Sequence, residues 1–205
     1  MKRARPYDRD RALEAALDLF WRKGYHATSL KDLEAALAMK PGSIYAAFKS
    51  KEALYLAVLD RYFERGRGGL REQLARTDSP LEALAEHLRS FARVKEGGTD
   101  GRACMLVKTL LDMPPDEAAI AARSRRYLDE MKAEIAAAFE KAKDRGELPP
   151  EADAARLARR FQAYLAALRI EVHRGTAPDE LAALAEDMAA EVEGLRARQA
   201  SPSGA

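Results

Sequence analysis

Cysteine is almost missing from this chain: Cys104 stands alone among 205 residues. No internal disulfide can form, and a reducing compartment is the expected setting. Long apolar runs are missing as well. The longest, ALYLAVL from Ala53 to Leu59, falls far short of the roughly 18 residues that a membrane-spanning helix needs. The opening MKRARPYDRD has no apolar stretch of the kind a signal peptide carries. These absences predict a cytoplasmic protein with no membrane partner. Histidine is scarce, three in all, and His87 and His173 are too isolated to suggest a metal site. No metal and no cofactor are expected. Alternating apolar and polar stretches of strand type are lacking, so an all-α fold is predicted.

What is present is helix-forming residue in quantity and an uneven distribution of charge. Hydrophobic residues make up 47% and charged residues 33% of the chain, with Ala, Leu, Glu and Arg heavily used, a balance typical of a soluble helical protein. The first fifty residues hold ten Lys/Arg against six Asp/Glu, whereas the rest hold 25 against 27. The basic end is therefore the N-terminal quarter. By itself such an excess is most often a solvated face, and it becomes informative only with a motif beside it.

Apolar periodicity and stop signals divide the chain into about nine helices. Leu13, Ala16, Leu17 and Phe20 form one stripe of a first helix from about Tyr7 to Lys23, ended by Gly24. Thr28 is placed to cap a short helix carrying Leu30, Leu33 and Leu37, and Pro41 starts a third that reaches about Phe48. Ser50 caps a long fourth helix, expected to weaken or kink at RGRGG, Arg65 to Gly69. In SPLE, Ser79 is the N-cap, Pro80 the first helical residue and Glu82 the reciprocal partner of a capping box. A further helix follows GGTDG, a long one runs from about Asp116 to Asp144, and two more run Glu151–Arg174 and Pro178–Arg196. The tail from 199 to 205 is expected to be disordered.

Three short helices and a long one, with the break inside MKPGSIYAAFKSKEAL, is the layout of a helix-turn-helix unit whose second short helix presents its N-terminal end to the major groove. Lys40 supplies charge, Pro41 starts the helix, and Gly42 lets backbone approach phosphate closely. Ser43 offers a small polar group to a base edge, and the Tyr45 hydroxyl can reach a phosphate. Lys51 lies at the N-terminal end of the next helix, another phosphate site. Ile44 and Phe48 fall on the opposite face and are expected to pack against Leu17, Phe20 and Leu33. The pattern alone also fits a plain helical hairpin with a solvated basic face.

The stretch GYHATSLKDLEAALAMKPGSIYAAFKSKEALYLAVL, Gly24 to Leu59, resembles the DNA-binding domain of the TetR family of transcriptional repressors, over roughly residues 8 to 60. The resemblance implies that Thr28 is a phosphate contact and helix cap. It makes Lys40 to Ser43 the groove-facing end of the recognition helix, and Tyr45 and Lys51 phosphate clamps. Two positions depart from the family pattern: Glu34 where alanine is usual, and Ala38 in place of the turn glycine. The resemblance further implies a DNA-binding domain at 1–50, with an N-terminal arm at 1–6, and an effector-binding and dimerisation domain at 51–198. It implies a homodimer through the last two helices, bound to a palindromic double-stranded operator.

A small-molecule effector would be sensed by the middle helices, where Phe91, Met105, Met113, Tyr127 and Met131, with Phe161 and Tyr164, are candidates to line an apolar pocket. Each is equally compatible with an ordinary core position. Cys104 is the other candidate sensor. A helix opening at Asp100 or Gly101 would put the thiol in its first turn, with Lys108 one turn on and Arg102 near, all favouring a thiolate. A buried, inert cysteine is the opposing reading. GRACMLVKTLLD also resembles the Gly-x-Cys-aliphatic-x-Val-Lys segment of electrophile-responsive TetR relatives such as the N-ethylmaleimide-responsive repressors. Release by an apolar or aromatic effector and release by Cys104 modification both stay open. So do two different classes, a helical cysteine-dependent enzyme and a helical interaction protein that does not bind DNA.

Overall fold

The computed structural model describes residues 8–93, 104–113 and 118–196, and among these it contains nine α-helices and no strand. They are α1 (Arg9–Lys23), α2 (Leu30–Leu37), α3 (Pro41–Phe48), α4 (Lys51–Arg76), α5 (Pro80–Ser90), α6 (Met105–Asp112), α7 (Ala118–Asp144), α8 (Ala154–Arg174) and α9 (Pro178–Glu193). A single 3₁₀ turn, Phe91–Arg93, extends α5. The expectations for Tyr7, the arm at 1–6, Asp100 to Arg102, Asp116 and the tail at 199–205 lie outside the described residues.

Helix starts follow side-chain chemistry, with corrections to the expected details. Asp8 caps α1 through the Arg11 N–H, Ser50 receives the Ala53 N–H at 2.9 Å, and Asp153 caps α8. At α2 the cap is Ser29, not Thr28: the Ser29 hydroxyl accepts from the Asp32 N–H while the Asp32 carboxylate accepts from the Ser29 N–H, a complete capping box. Thr28 instead is 1% exposed, and its hydroxyl donates to the Gly24 carbonyl at 2.6 Å. At α5, Ser79 caps and Pro80 opens the helix as expected, but Glu82 accepts from the Thr77 hydroxyl at 2.9 Å rather than closing a box. The Ser79 N–H is taken by the Thr77 oxygen.

Contacts gather the chain into two compact units, 1–66 with 105–127 and 67–104 with 128–205. In the first, α1 packs on α2 and α2 on α3. Leu17 and Phe20 of α1, Leu33 of α2, and Ile44 and Phe48 of α3 are all buried, at 4% exposure or less. Burying Ile44 and Phe48 contributes about 1.5–3 kcal/mol each, which an eight-residue helix needs because it is marginal alone. Ion pairs tie α1 to α4: Arg61 bonds Asp10 at 2.8 Å and Glu14 at 2.5 Å, and Arg65 bonds the same Glu14 oxygen. The start of α7 joins α4 through Tyr127, which stacks on Phe63 at 4.2 Å and donates to Asp60 at 2.6 Å; Arg123 bonds the same carboxylate oxygen. Packing therefore does not divide at residue 50, because these polar and aromatic ties hold the first part of α4 with the short helices.

In the second unit α5, α7, α8 and α9 share one core of Leu84, Leu88, Ile135, Phe139, Phe161, Leu168, Leu181 and Val192. Arg89 of α5 clamps α9 by forked bonds to Glu186 and Glu193 at 2.7–3.1 Å. Helix α4 is continuous through Arg65 to Gly69, where the sequence predicts weakening or a kink, and runs to Arg76. Phe63 and Leu70 on either side are buried in their own units, and such anchoring outweighs the roughly 1 kcal/mol that each helical glycine costs.

The turn between α2 and α3 carries a specific strain. Ala38 is left-handed, φ 51° and ψ 41°, where a glycine would be at ease. Ala38→Gly should therefore stabilise the protein by about 0.5–1 kcal/mol, the relief of left-handed strain less the greater freedom of the unfolded chain. Urea unfolding at unchanged m-value measures it, and a loss of stability would contradict the left-handed turn.

Candidate nucleic-acid interface and effector region

The start of α3 faces solvent. Lys40, Pro41, Gly42 and Ser43 are all exposed, and Tyr45, one turn in, is 47% exposed. Lys40 occupies the N-cap in extended backbone, and no side chain caps the helix. Its first turn is closed by the Ser43 and Ile44 N–H groups on the Lys40 carbonyl, at 2.9 and 3.1 Å. The positive end of the helix is thus presented outward with a lysine beside it, a suitable seat for an anion or an acceptor on a base edge. A Cβ built on Gly42 would meet nothing within 4 Å, and Gly42 shows no left-handed backbone. Among the described residues, nothing in the packing requires glycine there.

The far end of α3 and the start of α4 hold the other candidates. Lys49 ends α3 with φ 68° and ψ −49°, and the Ser50 N–H reaches the Phe48 carbonyl at 2.8 Å, a three-residue turn of the strained kind. Lys51 begins α4 and holds its ammonium 4.5 Å over the Tyr25 ring. Of the seven expected DNA contacts, six lie on the surface or half-buried at or just after these two helix starts, and Thr28, ahead of α2, is buried. Lys23 and Asp32 pair at 2.6 Å, and that ammonium together with the Ser29 bonds holds the Asp32 carboxyl far below the usual carboxylate range. The Asp32 charge on α2 is thereby balanced by Lys23 of α1.

The expected effector residues separate into two groups. Phe91 and Phe161 are buried in the core of the second unit, and Met131 and Tyr164 pack against it; the Tyr164 hydroxyl bonds Glu191 of α9. Met105 and Tyr127 are buried in the first unit, Tyr127 with its hydroxyl committed to Asp60. Met113 is half-buried just after α6. Cys104 is a free, half-buried thiol immediately before α6, not within its first turn, because the helix begins at Met105. Lys108 pairs with Asp112 at 3.0 Å on α6.

Residues outside the expected site also matter here. His87 of α5 lies against Phe91 at 5.7 Å and Phe161 at 6.4 Å, inside the aromatic group of the second unit. Burial, with the charge of Arg169 adding to it, pushes its imidazole down to about 4, so it is neutral at physiological pH. Arg169 itself covers the Phe91 face at 5.0 Å. Its helical spacing on the apolar side of α5, three residues after Leu84, was the available signal. Tyr55 and Thr109 were likewise absorbed into apolar runs, yet they form a buried hydroxyl pair at 2.9 Å.

Comparison with known proteins agrees on one lineage. Residues 12–58 match the model of bacterial regulatory proteins, tetR family, and residues 79–185 match a tetracyclin repressor-like C-terminal domain. The HTH-type transcriptional repressor ComR of Escherichia coli K12 is 34% identical over 188 residues, 89% of each chain. A solved complex of the TetR family regulator CifR, a cysteine mutant, with 26-bp operator DNA is 28% identical, with a TM-score of 0.82 over 92% of this chain and 98% of that one. The reduced form of E. coli NemR aligns with a TM-score of 0.76 over 94% and 98%, at 18% identity, a likeness of fold alone.

The depressed His87 makes stability depend on pH in a definite direction. The unfolded chain protonates this imidazole near 6.5 and the folded one near 4. Its contribution is thus complete above pH 6.5 and is lost as pH falls from 6.5 towards 4, by about 2–3 kcal/mol in all. His87→Gln should remove that slope from the difference between wild-type and variant urea unfolding. Parallel pH curves for the two proteins would show that His87 is not held neutral.

Proposed function

The chain belongs to the tetR family of bacterial regulatory proteins, and on that premise we propose that it is a cytoplasmic, homodimeric repressor released from a palindromic operator by an effector. It is a DNA-binding transcription regulator and not an enzyme. DNA binding is assigned to residues 1–50, with effector binding and dimerisation assigned to 51–198. The observation that carries the DNA reading is the outward, uncapped start of α3, where Gly42 has open space that its own fold does not use. Lys40 to Ser43 enter the major groove, and Tyr45 and Lys51 hold phosphates on either side. Thr28, expected as a phosphate contact, is instead buried with its hydroxyl bonded to the Gly24 carbonyl.

The homodimer is assigned to α8 and α9. Ile170 on α8 is 54% exposed, a large aliphatic side chain standing out on a helix otherwise rich in alanine, and small residues let helices approach closely. Two copies of α3 one DNA turn apart then read the two halves of a palindrome.

For release, the aromatic group of His87, Phe91, Phe161 and Tyr164 with Met131 favours a small apolar or aromatic effector, whose polar atom the neutral imidazole can meet. Modification of Cys104 is the second reading, favoured by the half-buried thiol standing directly before α6. Lys108 contributes to that reading only if it leaves Asp112.

Gly42→Ala separates recognition from folding. It should stabilise α3 by about 0.5–1 kcal/mol and weaken binding to the DNA upstream of the chain's own gene at least about tenfold, the order of one mismatched base pair. Unchanged binding would remove α3 from the groove. Ile170→Glu should give monomers in sedimentation and lose operator binding, and a dimer retained would move the interface elsewhere. N-ethylmaleimide treatment of wild type and Cys104→Ser reads the thiol: equal operator release in both discards the cysteine switch.

A further inference from the structure

The candidate phosphate clamp Lys51 is joined to α6 by an unbroken series of contacts inside the first unit. Its ammonium lies 4.5 Å over the Tyr25 ring. Tyr25 meets Tyr55 edge-on at 5.0 Å, and Tyr55 meets Phe20 edge-on at 4.9 Å. The Thr109 hydroxyl donates to the Met105 carbonyl at 2.7 Å. Its one hydrogen is thereby used, so the Tyr55 hydroxyl is the donor in the 2.9 Å bond to Thr109. Tyr55 and Thr109 are 3% and 0% exposed. Nearby, Gly24 lies close enough to the Asp112 carboxylate that a methyl group there would meet it at 3.8 Å, and that carboxylate is paired with Lys108. Helix α6 therefore lies near Gly24 at its end and pins Tyr55 through its middle.

We propose that the Tyr55–Thr109 hydrogen bond is a positioning contact for DNA binding, holding Tyr25, and through its ring the Lys51 ammonium, in the orientation that meets phosphate. The inference rests on the reading of Lys51 as a phosphate contact. Its chemistry is directional. A buried hydroxyl fixes the Tyr55 ring in one rotation, the edge-on contact passes that placement to Tyr25, and a lysine over an aromatic face is confined compared with one in solvent. Thr109 is bonded to the first residue of α6, so a shift of that turn, one residue from Cys104, breaks the series at its buried end. The DNA surface would then register the state of α6 with no contact between effector and DNA.

The test is a double-mutant cycle on the full-length protein, with binding to the DNA upstream of its own gene measured between 50 and 200 mM salt. Lys51→Ala should weaken binding and lower the salt slope by about one for each protomer; an unchanged slope overturns the phosphate reading and the inference with it. Tyr55→Phe and Thr109→Val, both close to isosteric, should each weaken binding about fivefold, the net worth of one hydrogen bond. In a Lys51→Ala background that loss should vanish. An equal loss in both backgrounds, or none in either, overturns the positioning role while leaving the Lys51 reading intact. Thermal unfolding of each variant separates a folding defect from this outcome, because a folding defect persists without Lys51.

Discussion

An eight-residue helix does not hold itself together in water, and the helix that carries the candidate DNA-reading residues has only eight. Everything about its placement therefore depends on burial of one side. Ile44 and Phe48 are turned into the first unit with Leu17, Phe20 and Leu33, which leaves Lys40, Gly42, Ser43 and Tyr45 on the other side with no fold-making duty. Both ends of α3 are bounded by residues with positive φ, Ala38 before it and Lys49 after it. Side chains rarely adopt such angles without a surrounding structure that imposes them, and here the packed face is that structure. The placement of this exposed face is a consequence of its hidden side.

The same dependence extends along α4. Its first turns bear Lys51 outward and Leu54, Tyr55, Val58 and Leu59 inward. Arg61 and Arg65 fasten it to the acidic residues of α1, and Asp60 collects Tyr127 and Arg123 from α7. Exposed ion pairs contribute little singly, but a shared carboxylate with two donors sets geometry as well as energy. In the second unit a comparable economy appears at Arg89, whose one guanidinium joins α5 to two glutamates of α9. The aromatic group around His87 lies on the inner side of the same helix. A ligand entering it would disturb a core in which Phe161 and Leu88 have no spare exposure.

Much of this was legible in the residue order, and the exceptions share a cause. Pro41, Ser50, Ser79 with Pro80, and Gly24 mark helix boundaries correctly because caps and stops act over three or four residues. The choice between Thr28 and Ser29 as cap of α2 was not legible: both residue types cap, and the decision came from burial of Thr28 against the Gly24 carbonyl. The continuity of α4 through Arg65 to Gly69 was not legible for a related reason, since local propensity weakens the helix there while Phe63 and Leu70 anchor it. The expectation for Lys108 paired it with the thiol, whereas Asp112, on the same helix, is the partner it has.

By itself, then, the residue order determined the helical class, the succession of short and long helices, the basic N-terminal quarter and the motif at 40–51, because each depends on composition or on spacing within a few turns. Only the tertiary structure decided which side chains share a neighbourhood. Tyr55 meets Thr109 across 54 positions, His87 comes to lie against Phe161 on another helix, and the seven expected effector residues other than Cys104 divide between two units. The reason is physical: a cap or an amphipathic stripe is settled by neighbours along the chain, whereas a buried hydroxyl or imidazole takes its role from whichever distant residue the packed core sets beside it.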